Sequence, residues 1–191
     1  KPDRYLSLVD TFPVYAARAN AVYANSAAAT GGTRNIRYVH TGDCRLNVLH
    51  VVLSPTGDDT FANMVTELKA LGLTRSDRKY LVWADAGVYC GIGSVTTDES
   101  PGSTNRANNG PHFARVDAGC WGGQRSVEAH EIAHNLGAVQ LGAPNSNGAW
   151  HCVDEYDRMC YNDGSGATMR VDCPDTALEA VFDCGGNDYF N

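Results

Sequence analysis

No stretch of this sequence stays apolar for the roughly 20 residues a bilayer-crossing helix needs, so no membrane span is expected. The first residues, Lys1-Pro2-Asp3-Arg4, hold neither a start methionine nor an apolar signal core, which suggests a mature or trimmed chain. Positive charge is also scarce. Fifteen Lys and Arg stand against 22 Asp and Glu, the formal charge is −7, the pI is near 5.2, and no basic stripe is visible. That balance argues against nucleic acid or an anionic membrane as partner. No C-x-x-C pair occurs among the seven cysteines, which argues against a thiolate metal site.

What is present suits a globular domain. With 191 residues and 43% hydrophobic content the chain can bury a core as one domain, or as two lobes sharing a cleft. Seven cysteines favour disulfides, an oxidising compartment and hence secretion. Cys152, Cys160, Cys173 and Cys184 are expected to pair among themselves near the C-terminus, and Cys90 and Cys120 to close a long loop. Cys44 is then the odd one. Sequence leaves the pairing within the last four open.

Taken in order, Pro13 suits a helical first turn, and Tyr15, Ala19, Val22 and Tyr23 keep helical spacing up to Gly31-Gly32. Residues 36–39 and 46–53 read as two strands around the turn Thr41-Gly42-Asp43, with His40 and His50 as structural histidines. Asp58, Asp59 and Thr60 offer caps for a helix with Phe61, Met64, Val65 and Leu68 on its apolar face, ended by Gly72. Tyr80-Leu81-Val82-Trp83-Ala84 reads as a central strand of a helix-covered sheet. Residues 91–110 are a long polar loop. Asp98, Glu99, Asn105 and Asn108 within it could hold Ca2+ through oxygen ligands, against the plainer reading of a solvated loop. Phe113-Ala114-Arg115-Val116 is expected to be an edge strand, to which an extended substrate could add. Asp183, Asn187 and Asp188 form either a second oxygen-ligand cluster or a polar turn.

The chemistry concentrates in residues 126–137, Ser-Val-Glu-Ala-His-Glu-Ile-Ala-His-Asn-Leu-Gly. Ala129, Ile132, Ala133 and Leu136 make a helical apolar stripe, Ser126 is a fitting N-cap, Glu128 suits the positive end of the dipole, and Gly137 is placed to stop the helix. His130-Glu131-Ile132-Ala133-His134 is an H-E-x-x-H. One helical turn separates its histidines, so both can hold one zinc ion with Glu131 alongside as base. A catalytic zinc takes three protein ligands and keeps one open position, so a third ligand must lie elsewhere.

From this point the chain resembles the metzincin zinc peptidases, whose pattern is H-E-x-x-H-x-x-G-x-x-H followed by a methionine turn. His130 to Gly137 matches in register, while Gln140 stands where the last histidine would be. In the matrixin branch a methionine follows the third histidine by eight residues, and here Met159 follows His151 by that spacing. An insertion between Gly137 and His151 would reconcile the two, making His151 the third ligand, ahead of Gln140 and Asp154. The resemblance implies a turn methionine at Met159. It also implies, from Met-x-Tyr in the astacin and serralysin branches, a Tyr161 near the metal that donates to an oxyanion or is merely structural.

The expected fold class is α/β (α+β) and metzincin-like in a single catalytic domain. Residues 1–139 would form an N-terminal lobe with a mixed sheet and the active-site helix, and residues 140–191 a small, irregular, disulfide-rich lobe. The expected activity is that of a secreted, monomeric zinc endopeptidase acting on protein or peptide. Its metal ligands would be His130, His134 and His151, its catalytic residues Glu131 and Tyr161, and its cofactor Zn2+, with Ca2+ a second candidate. The competing readings are a non-catalytic module held together by zinc and calcium, and a zinc amidohydrolase on a non-peptide amide.

Overall fold

The computed structural model describes residues 2–173, 180–186 and 188–189. Seven elements carry the fold in chain order: α1 (Tyr5–Leu8), α2 (Phe12–Ala29), α3 (Phe61–Ala70), β1 (Lys79–Ala84), β2 (Gly91–Gly93), β3 (His112–Asp117) and α4 (Val127–Asn135). No helix among the described residues is long and apolar enough to cross a membrane.

The helix boundaries follow local chemistry. Pro13 lies in the first turn of α2, where its missing N–H costs no hydrogen bond, and Gly31 leaves the helix at φ +75°. Thr60 caps α3 by accepting from Asn63 N at 3.1 Å. On α4, Ser126 caps the start and Gly137, at φ +99°, ends the last turn. Ala129, Ile132 and Ala133 are buried as the stripe requires, whereas Leu136 is 43% exposed. Glu128 does more than face the helix dipole. It is wholly buried and accepts from Trp83 Nε1 at 3.2 Å and from Gly122 N at 2.8 Å.

The sheet is three-stranded and mixed, in the order β1-β3-β2, with β1 parallel and β2 antiparallel to β3. This corrects two expectations. Phe113 to Val116 lies in the central strand and not at an edge, while the apolar strand Tyr80 to Ala84 is an edge. The misleading signal was the short run of residues 113–116, whereas β3 runs from His112 to Asp117. Arg115 and Asp117 interrupt the apolar pattern of β3, yet both are buried and pair at 2.6 Å. The two strands expected at residues 36–39 and 46–53 form only a bridged turn, His40 to Leu46, and the rest of that segment pairs with no strand. Val51 and Leu53 instead pack by side chain on a cluster of Met64, Leu68 and Phe113.

Helix α4 sits between two further clusters. Ala129 packs with Ala19 and Val22 of α2, and Tyr23 Oη donates to Ala129 O at 3.1 Å. Ala133, a turn later, packs with Ala138, Val139, Ala143, Cys152, Met159, Cys160 and Tyr189. The three disulfides are Cys90–Cys120, Cys152–Cys160 and Cys173–Cys184, with Cys44 free and exposed.

Candidate metal centre

One nitrogen from each of His130, His134 and His151 falls within a single group whose atoms lie within 4.8 Å of one another. The first two imidazoles come from α4, and the third comes from the irregular segment that follows it. Their ring centroids lie 4.7 Å apart for His130 and His134, 5.3 Å for His130 and His151, and 5.0 Å for His134 and His151.

Hydrogen bonds assign the ring protons. His130 Nδ1 lies 2.9 Å from Arg158 O, and His134 Nδ1 lies 2.8 Å from Ala138 O. A carbonyl can only accept, so each Nδ1 carries the proton and donates it. His151 Nδ1 lies 2.7 Å from Asp163 Oδ2 and donates likewise. Each Nε2 therefore keeps its lone pair, and those of His130 and His134 face each other at 3.1 Å. Two such lone pairs repel unless a cation lies between them, and three neutral imidazoles with their Nδ1 protons engaged make a donor set suited to zinc.

Electrostatics favour the neutral rings. Burial, with His151 and Arg158 adding to it against the Arg158 carbonyl, pushes His130 down to about 4. Burial and the neighbouring imidazoles push His134 well below the ordinary histidine value, and burial lowers His151. The adjacent Glu131 is 4% exposed, and burial pushes its carboxyl up to about 8. Tyr161 is half-exposed, with its ring 4.5 Å from that of His151 and 5.9 Å from that of His130. Met159 is fully buried in the cluster that holds Ala133 and Cys152.

The other candidate ligands lie elsewhere. Gln140 is buried and committed to a loop: its Nε2 donates to Gly137 O at 2.6 Å and Thr96 O at 2.9 Å, and its Oε1 accepts from Asp98 N at 3.1 Å. Asp154 is buried beside Cys173 and Cys184 and accepts from Asp172 N at 3.0 Å. The calcium candidates are taken up in hydrogen bonds within their loop and, for Glu99, to Gly142. The Asp98 carboxylate accepts from Ser100 and Arg106, Glu99 from Gly142 N at 2.6 Å, and Asn105 Oδ1 from Ala107 N at 2.8 Å. Asn108 donates to Gly102 O at 3.0 Å. Asp183 and Asp188 gather with the buried Asp157, while Asn187 lies outside the described residues.

Three contributors carried no readable signal in the sequence. Asp163 reaches His151 from a segment without periodicity, and Gly91 and Gly93 of β2 lie directly against Glu131 and His134. His112, in contrast, is structural, held by Asn135 O at 3.1 Å and Thr96 Oγ1 at 3.2 Å. His50 stacks on Tyr5 with ring centroids 4.3 Å apart. Neither the protein-family models nor the curated proteins nor the solved structures compared with this chain match it.

Proposed function

We propose that this chain is a secreted zinc-dependent endopeptidase, with His130, His134 and His151 holding the metal and Glu131 acting as general base. One observation carries the reading: three imidazoles with their Nδ1 protons engaged converge beside a buried carboxylate. Zinc held there supplies Lewis acidity, which lowers the pKa of water and polarises a carbonyl oxygen. Burial alone raises the Glu131 carboxyl, and a cation beside it favours the ionised form, in which Glu131 takes the proton from the attacking water and hands it to the leaving amine nitrogen. The half-exposed Tyr161 donates a hydrogen bond from its hydroxyl to the oxygen on which charge develops. In this reading the substrate lies across α4. There β2, the edge strand beside Glu131, offers backbone groups to an extended peptide.

A structural zinc site takes four protein ligands, and among the described residues the histidine group holds three. That supports an open position over a closed, non-catalytic site. Three disulfides fit an oxidising, extracellular setting. The test is cleavage of a diverse peptide mixture by wild type and by Glu131→Ala, read by mass spectrometry. Cuts made by wild type alone, and abolished by a chelator, are expected. Equal cutting by Glu131→Ala would sink the assignment, and no cutting by zinc-loaded wild type would turn it toward non-peptide amides.

A further inference from the structure

The two α4 histidines are oriented by a rigid element, and both donate to backbone carbonyls that persist whatever side chains surround them. His151 has no such support. It follows Gly148 and Trp150, both in left-handed backbone at φ +78° and +63°, in a segment without helix or strand. Something else must fix the plane and tautomer of its ring.

We propose that Asp163 is the positioning residue for His151, a carboxylate that fixes the ring with Nε2 turned to the metal and raises its strength as a ligand. The proposal rests on the metal centre argued above and adds a residue to it. Asp163 Oδ2 lies 2.7 Å from His151 Nδ1, a length suited to a charge-assisted bond. Two further donors pin the carboxylate. Ser165 N donates to its Oδ1 at 2.9 Å, and Asn147 Nδ2 donates to its Oδ2 at 2.8 Å. Asn147 in turn grips the backbone of His151, since Asn147 N donates to His151 O at 2.8 Å and His151 N donates to Asn147 Oδ1 at 3.2 Å. The three residues therefore close a ring. Asp163 cannot swing to solvent without releasing Asn147, and the His151 ring cannot turn without losing Asp163.

The consequence is chemical as well as geometric. A carboxylate on Nδ1–H holds the proton on that nitrogen and pushes electron density toward Nε2, which strengthens it as a donor. It also places one negative charge behind a ligand set that is otherwise neutral. Tyr161, two residues before Asp163, has its ring 4.5 Å from that of His151, so one short segment holds both the imidazole and the phenol.

The test compares zinc affinity, by competition with a chromophoric chelator at neutral pH, for wild type, Asp163→Ala, Asp163→Asn and His151→Ala. Asp163→Ala is expected to bind zinc 10- to 100-fold more weakly, the usual cost of losing such a partner. Asp163→Asn keeps an acceptor for Nδ1–H and should recover part of that loss. Urea unfolding of the zinc-free proteins separates this from a loop staple, which would lower stability and leave affinity alone. A second readout needs no metal: in zinc-free wild type the His151 Nδ1–H should give an exchange-protected proton resonance that Asp163→Ala abolishes. Asp163→Ala within about twofold of wild type, with His151→Ala having lost zinc, would overturn this proposal and leave the metal centre standing. Unchanged binding by His151→Ala would instead remove the metal centre itself, and this proposal with it.

Discussion

The carboxylate of Glu131 fills the space that a side chain at Gly91 would need. A β-carbon built on Gly91 meets Glu131 Oε1 and comes within 2.9 Å of Glu131 Cδ and 2.5 Å of Val127 Cγ1. Two residues on, a β-carbon at Gly93 would come 2.9 Å from Glu131 O and 3.0 Å from His134 Cβ. Strand β2 is glycine at both positions because α4 lies directly on it. The base of the proposed reaction therefore owes its placement to a strand whose two positions against it are both glycine.

Gly91→Ala should displace the Glu131 carboxylate while leaving the three imidazoles in place. Since a general base is worth roughly 100- to 10,000-fold, even partial displacement should lower kcat on a peptide at least tenfold. Zinc content should be unchanged. Parallel measurement of kcat and of bound zinc checks this, and a variant with full activity would show that Glu131 tolerates movement.

Gln140 and His151 make opposite predictions. Gln140→Ala leaves the buried Gly137 O and the partly buried Thr96 O and Asp98 N without their partner, so it should cost on the order of 2 kcal/mol of stability and spare zinc affinity. His151→Ala should do the reverse. Zinc competition and urea unfolding on both variants test the assignment, and loss of zinc from the glutamine variant alone would return Gln140 to the ligand set.

Hydrogen bonds from Ser100 and Arg106 hold the Asp98 carboxyl well below the ordinary carboxylate range. Its folded pKa is thus below its unfolded one, so its contribution to stability is present above about pH 4 and lost as the pH falls further. Asp98→Asn should melt below wild type at neutral pH, with a gap that narrows on acidification. Thermal melts of both proteins at about pH 7, 4 and 2.5 read this directly. A gap independent of pH would mean that the charge of Asp98 contributes nothing.

Helices α2, α3 and α4 were legible because each announces itself locally, whereas the four-residue α1, which has no side-chain cap, was not read. Thr60, Ser126 and Gly137 cap or stop where their chemistry dictates, and the stripe on α4 identifies its buried face. His151 was legible through spacing to Met159, and the structure brings it to His130 and His134. Strand order was not legible, since residues 113–116 make too short a run to announce the central strand β3, within which Arg115 and Asp117 pair. Asp163 and Gly91 were hidden for a different reason. Each matters only through a neighbour brought to it by folding, 12 residues away for His151 and across the sheet-helix contact for Glu131.

The disulfides allow stability and metal binding to be separated. Cys90–Cys120 spans 30 residues and anchors the chain immediately before Gly91, while Cys152–Cys160 spans 8, encloses Val153 to Met159 and anchors the chain immediately after His151. Loop-closure entropy grows with span, so removing the longer should cost about 3–4 kcal/mol and the shorter about 2–3 kcal/mol. Metal binding should rank the other way. Replacing Cys152 and Cys160 by serine frees the segment behind His151 and should weaken zinc. Replacing Cys90 and Cys120 should leave zinc bound but loosen β2 against Glu131, so that kcat falls. Urea unfolding of the zinc-free variants and zinc competition on the folded ones give the two rankings independently. Equal zinc affinity in both double variants would mean that His151 is held by the Asp163 and Asn147 hydrogen bonds alone, without help from the short disulfide beside it.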